Sequence, residues 1–363
     1  MRGIEDNQES MFSYVSTETR IPSDHPLRAV RTMADKVLLE MNDTFERQYS
    51  QIGRPSIPPE YLIRATLLQI FHSIRSERLL MEQLNYNLLF RWFVGMSVDQ
   101  EVWNHSTFSK NRERLLTGMA ANEFFVKVVD EAKNAGLLSD EHFSVDGTLI
   151  ESWASLKSFR PKDGSGKPPD GPGRNATVDF HGEQRTNDSH ASTTDPEARL
   201  TKKSAGHTAK ICHMAHVKME NRNGLAVDCE VNTPSGFAER DAALAMMGRG
   251  NDGKKKTIGA DKGYDPADFV TSAREMGYTP HVSQNTSRGR VSPIDERTTR
   301  HSGYAVSIRI RKRIEEIFGW LKTIGGMHKM RVVGQINTEG YLLFALAGFN
   351  MIRMRSILGA ANA

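Results

Sequence analysis

HFSVDGTLIESW, residues 142–153, decides how the rest of the chain is read. Phe143 and Val145 alternate with small or polar residues, the two-residue period of a strand with one buried face. The run then delivers a carboxylate, Asp146, immediately before Gly147. Downstream, AKICHMAHVKME and GLAVDCEVN are two further β-rich runs. Asn221, Arg222, Asn223 and Gly224 between them form a strong hairpin-turn signal. A helix over 239–247 follows, then a short strand, TIGAD, that ends on Asp261. A helix over 266–276, a strand over 278–282 and a long helix over 307–323 complete the series.

Strand, hairpin, helix, strand, helix, strand, helix: this order predicts an α/β fold with a mixed sheet of the ribonuclease-H type. Residues 160–205 interrupt it with a stretch rich in Gly, Pro and polar side chains that cannot build a core, and a disordered, mobile insertion loop is expected there. Upstream the period changes. From Pro59 onward Leu62, Ile63, Leu67, Ile70, Phe71 and Ile74 recur at helical spacing. Ser76 is an N-cap candidate for a second helix whose stripe is Leu79, Leu80, Leu84, Leu88 and Leu89. An aromatic cluster (Phe90, Trp92, Phe93), a helical stretch over 105–115 and a helix from about Asn122 to Gly136 follow. The expected organisation is an irregular segment over 1–58 with one amphipathic helix at 27–45, an all-helical N-terminal domain over 59–138, a catalytic domain over 139–336 and a C-terminal helix over 337–363.

Composition narrows the class. Hydrophobic residues at 38% and charged residues at 25% suit a globular enzyme with some unpacked polar segments. A net charge of +4 is too small to argue for a nucleic-acid partner by itself, so the placement of charge matters more. Cys212 and Cys229 are the only cysteines, which excludes a disulfide framework and points to a reducing cytoplasm. MRGIEDNQES at the N-terminus has no apolar signal core, and the apolar run over 341–352 is too short to span a bilayer, so no membrane role is expected.

Asp146 and Asp261 each end an apolar strand beside a small residue, where carboxylates on neighbouring strands can converge. Phosphodiester chemistry needs charge neutralisation and an activated hydroxyl. Two Mg²⁺ ions roughly 3.5–4 Å apart supply both, held by a few carboxylates. The third candidate lies on the long helix. Ile310, Ile314, Ile317, Phe318 and Leu321 form its apolar stripe, and Arg311, Glu315 and Lys322 run along the margin. Glu316 lies further round beside Lys312, where a solvated ion pair is the plainer reading, so Glu315 is the preferred ligand.

FSVDGTLIESWAS, TDPEARL, the KICHMAHVKMENRNGLAVDCEV hairpin, GADKGYD and RIEEIFGWLK, in this order, resemble the D-D-E transposases of bacterial insertion sequences, in particular the insertion sequence five group. The resemblance extends back through the helical unit from about Pro55 and covers most of the chain. It implies a ribonuclease-H-like core with an insertion, and Asp146, Asp261 and Glu315 as the metal-binding catalytic triad. It also implies two Mg²⁺ ions, with Mn²⁺ able to substitute. Arg311 and Lys322 match the basic positions of the family's third motif and are expected on DNA phosphates. Ile308 stands where that motif has tyrosine, so no tyrosine role carries over. The implied reaction is hydrolysis at the element end followed by attack of the exposed 3′-hydroxyl on target DNA. The implied partners are double-stranded DNA, as terminal inverted repeats and target, and a second copy of the chain when two ends are assembled, in the cytoplasm and on the nucleoid. A same-fold nuclease that cuts without joining, and a DNA-end-binding protein without activity, are the alternatives.

Arg309, Arg311, Lys312, Arg313, Lys322, Lys329 and Arg331 form the densest basic region and read as a phosphate track. Lys254, Lys255 and Lys256 read as an exposed turn. Cys212, His213, His216 and Cys229 do not make a zinc site, because adjacent strand residues point to opposite faces and no C-x-x-C pair exists. Tyr86, Trp92 and Trp103 read as core. Whether the helices over 59–138 bind DNA ends or a second copy stays open at this level.

Overall fold

The computed structural model describes residues 16–49, 52, 56–117, 119–164, 185–202 and 206–361. Among the described residues eight helices come first: α1 (Thr17–Arg20), α2 (Leu27–Leu39), α3 (Asn42–Gln48), α4 (Pro59–Phe71), α5 (Glu77–Tyr86), α6 (Leu88–Val94), α7 (His105–Thr117) and α8 (Met119–Asn134). The segment before Pro59 is therefore more helical than its sequence suggests, and Val30, Ala34, Val37 and Leu38 of α2 are buried in the main core. Ser76 Oγ accepts from Leu79 N at 3.1 Å, as an N-cap should. The helix it starts ends at Asn87, whose Oδ1 accepts from Leu89 N at 3.0 Å and caps the next helix. Leu88 and Leu89 thus belong to α6, not to the α5 stripe, and Leu79 is exposed. Trp92 is buried, but Tyr86 at the end of α5 is 79% exposed and does not join the core.

The sheet is built from β1 (His142–Glu151), β4 (Arg199–Thr201), β5 (Lys210–Glu220), β6 (Ala226–Asn232), β7 (Lys256–Ala260) and β8 (Tyr278–Val282). Two short strands inside the insertion, β2 (Phe159–Pro161) and β3 (His190–Ser192), pair with each other. Strand β5 runs antiparallel to β1 and β6, while β1, β7 and β8 are parallel neighbours. The order β6-β5-β1-β7-β8, with a hairpin on one side and parallel strands on the other, is that of a ribonuclease-H-like sheet. The turn expected at 221–224 connects β5 to β6, with Gly224 at φ +72, where a side chain would be strained. In the insertion, the expected disorder is contradicted over 160–164 and 185–202. Strand β4 extends the main sheet along β5, and Asp195 is fully buried against His213 Nε2 at 2.9 Å. Residues 165–184 and 203–205, on which the rest of that expectation falls, lie outside the described residues.

Helices α9 (Ala238–Arg249) and α10 (Ala267–Glu275) cover one face of the sheet, over a core of Phe143, Val145, Met246, Ile258, Tyr264 and Phe269. The other face shares one core with the N-terminal helices through Ile150, Ala215, Val217, Ile314 and Ile317. The helix expected over 307–323 is three pieces: α12 (Ser302–Ile310), a 3-10 turn at Arg311–Arg313 and α13 (Ile314–Thr323), preceded by the short α11 (Glu296–Thr299). The tightening falls where Arg311 packs over β7: a methyl group on Gly259 would lie 3.5 Å from Arg311 Cβ. The last helix, α14 (Gln335–Ala361), is 27 residues long. By length and composition it could cross a membrane, more than its apolar run suggests, yet 61% of its most apolar window is buried inside the protein. Asn350 ties it to the edge of β6, donating to Ala226 O at 2.8 Å and accepting from Ala226 N at 2.9 Å.

Candidate active site

The parallel pairing of β1 with β7 matches His142 with Thr257, Phe143 with Ile258 and Ser144 with Gly259. Continued two residues, that register sets Asp146 opposite Asp261, just past the end of β7. Among the described residues, strand β1 runs on to Glu151 paired only with β5, until an isolated bridge between Glu151 and Lys329 meets its other edge. Asp146 therefore stands at the first position where the sheet opens. There a carboxylate keeps solvent on one side and a fixed backbone on the other.

Asp146 is half-buried, with its Oδ1 accepting from Gly147 N at 2.8 Å. Burial, followed by the negative charges of Asp261 and Glu239, pushes its carboxyl up to about 7, against the Gly147 hydrogen bond and the Arg311 charge. Asp261 caps the 3-10 turn Lys262–Tyr264, its Oδ1 accepting from Gly263 N at 2.7 Å. With both aspartates turned onto nearby backbone N–H groups, no three His, Cys, Asp or Glu side chains among the described residues are arranged to hold a metal ion as they stand. The donors are nonetheless of the right kind. Carboxylate oxygens beside an open strand edge suit a hard divalent cation, and two like charges held together favour one.

Of the five residues singled out in sequence, the structure brings four to this strand edge. Arg311 bears on Asp146 electrostatically, and its Nε is buried without a hydrogen-bond partner. Lys322 reaches β1 from α13, its Nζ donating to Thr148 Oγ1 at 2.5 Å. Glu315 lies on the first turn of α13, one turn beyond Arg311, and is exposed. The acids that act most strongly on Asp146 are instead Asp261 and Glu239. Glu316 pairs with Arg353 at 3.5 Å, not with Lys312. The wider basic track is partly consumed by structure: Arg331 donates to Ile74 O and Lys329 pairs with Glu151. Lys256 is also no exposed turn residue, being 7% exposed and bonded to Asp252 at 2.8 Å.

Glu239 was not marked by the sequence, although the helix that carries it was. It sits in the first turn of α9, above β1. A methyl group on Gly147 would lie 3.2 Å from Glu239 Cγ and 2.8 Å from His216 Nδ1, so glycine leaves room there for these two side chains. A cavity of about 720 Å³ opens beside this point, lined by Gly147, Thr148, Glu239, Lys322, Lys202 and Lys210.

A ribonuclease-H-like sheet with carboxylates at the ends of its central parallel strands defines the class, one suited to metal-assisted phosphoryl transfer. Residues 15–114 match a transposase domain family (DUF772), and residues 177–351 match the Transposase DDE domain family. The chain belongs to the DDE-type transposases, which cleave DNA and transfer its strands. Asp261, Arg311, Glu315 and Lys322 lie inside the second match, and Asp146 lies between the two. Among solved structures, a piggyBac transposase synaptic complex with hairpin DNA is similar at 10% identity, covering 92% of this chain and 76% of that one, with a TM-score of 0.42. A pre-cleavage Mos1 transpososome matches at 11% identity over 85% of this chain and 82% of that one, with a TM-score of 0.21. At such scores the fold assignment rests on the strand order of this chain.

Proposed function

We propose that this transposase hydrolyses the phosphodiester at the ends of its own insertion element and joins the released 3′-hydroxyl to target DNA, with Asp146, Asp261 and Glu315 as its catalytic carboxylates. The observation that carries the reading is the β1–β7 register, which sets two strand-end aspartates side by side where the sheet opens. Glu315 enters through its motif, one turn after Arg311 on the helix that flanks the same edge. Two Mg²⁺ ions, with Mn²⁺ able to replace them, would be held by these carboxylates and would supply phosphate neutralisation and an acidified nucleophile. Arg311 and Lys322 would fix the DNA phosphates, arginine by a two-pronged contact and lysine as a point charge. The substrate is double-stranded DNA carrying terminal inverted repeats, met by two copies of the chain when paired ends are processed. The insertion sequence five group is the closest reading of the motifs, and the cytoplasm, on nucleoid DNA, is the proposed location.

The test is cleavage of a labelled duplex carrying the native element end, in Mg²⁺ or in EDTA. Wild type should nick at the end only with the metal, and Glu315→Gln should abolish nicking while Glu316→Gln retains it. The reverse outcome would move the third ligand by one residue. Binding without cutting under any metal would overturn the enzymatic reading.

A further inference from the structure

Three groups converge beneath the open end of β1 without a role in the reading above. The carboxylate of Glu239 is carried there by the first turn of α9, over the space that a Gly147 side chain would fill. Around Gly263, a methyl group would lie 2.9 Å from Asp261 Oδ1 and 3.8 Å from Glu239 Oε2, so these two carboxylates flank one point. Arg240, next to Glu239, reaches Gly263 O at 3.5 Å and ties α9 to the loop that carries Asp261. The third group is Tyr264. It is 1% exposed, its hydroxyl has no hydrogen-bond partner, and it lies in the field of Glu239, Asp146 and Asp261. A buried hydroxyl left unpaired is costly to the fold. Tyr264 closes the 3-10 turn that Asp261 caps, so this unused hydrogen-bonding group lies at the same end of the sheet.

We propose that Glu239 is an additional ligand of the divalent-cation site at the ends of β1 and β7. The inference rests on the metal-dependent reading given above. The oxygen-only donor set suits Mg²⁺ or Mn²⁺, and a cation there relieves the mutual repulsion of Asp146, Asp261 and Glu239. Gly147 has a definite part in this arrangement, because a side chain there would crowd both His216, at 2.8 Å from Nδ1, and Glu239, at 3.2 Å from Cγ.

The probe is Mn²⁺ alone, titrated calorimetrically into the full-length, EDTA-stripped protein, with folding checked by circular dichroism. Glu239→Gln should weaken Mn²⁺ binding by about tenfold or more, since even outer-shell partners typically account for that much. Wild-type affinity in Glu239→Gln, with loss in Asp146→Asn and Asp261→Asn, would overturn the Glu239 assignment and leave the proposed function standing. Unchanged affinity in the two aspartate variants as well would instead remove the cation site itself. Should Glu239→Gln not fold, wild-type protein loaded with Fe²⁺ and treated with ascorbate and peroxide gives a second readout. Backbone cuts near 146, 261 and 239 support the proposal, and cuts near 146 and 261 without one near 239 refute it.

Discussion

At residues 143 and 144, strand β1 has a partner on each side, β5 and β7, whereas from 146 to 150 it is paired with β5 alone among the described residues. The inner half is a closed ladder. Phe143 and Val145 are buried there, and the neighbouring cation, Lys218, is 4% exposed, with its Nζ 4.9 Å from the centre of the Phe143 ring. The outer half holds half-buried Asp146, Gly147 and Thr148 with one edge free, and the cation that reaches it, Lys322, comes from a helix. One strand thus provides both rigidity and access. The proposed site falls at the join: a carboxylate further in would be desolvated on both sides, and one further out would lose Asp261 as its neighbour.

The comparison can be broken from the back of the outer half. There β5 is anchored by the buried His213–Asp195 contact, which ties the insertion to the strand that pairs with Ile150. Asp195→Ala leaves the His213 ring without that partner and should cost about 3 kcal/mol in chemical denaturation. A loss no larger than that of an exposed Asp→Ala control would show that the insertion does not brace the strand.

The inner half offers a pH test. Burial lowers the Lys218 ammonium from 10.5 to about 8, so the folded protein disfavours the charged form. The penalty is full below pH 8 and is relieved as the pH rises from about 8 toward 10.5, since there the unfolded chain holds the extra proton. Lys218→Met should therefore gain on wild type by about 3 kcal/mol more at pH 7 than at pH 10. A difference independent of pH would mean that the ammonium is not desolvated by the closed ladder. The smallest effect is expected at the outer edge. Lys322→Ala should weaken DNA binding evenly across sequences and lower the salt slope, d log K/d log [salt], by about 1, measured by fluorescence anisotropy. An unchanged slope would take Lys322 off the phosphates.

Much of this was written in local pattern. Alternating Phe143 and Val145, the apolar Ile258 before Asp261, and the Asn-Gly turn at 223–224 each announce a strand end or a hairpin from near neighbours alone. What stayed hidden depends on distant contacts. Asn87 divides one expected helix into two through its own side chain. Residues 190–192 and 199–201 become strands only because partners reach them, Phe159–Pro161 for the first and β5 for the second. Tyr86 sits at helical spacing from core residues yet ends its helix outside the packing. Glu239 has no motif at all; its place at the site follows from the side chain that Gly147 lacks and from how α9 crosses β1.

The central claim is that Asp146 and Asp261 perform chemistry at the opening of the sheet and are not merely structural. Strand-transfer assays with a pre-cleaved element end, run beside end-binding measurements, test it most directly. Asp146→Asn and Asp261→Asn should each bind the end as wild type does while joining falls by roughly a thousandfold, the scale of losing one group that stabilises transition-state charge. Joining at wild-type rate by either variant would contradict the account.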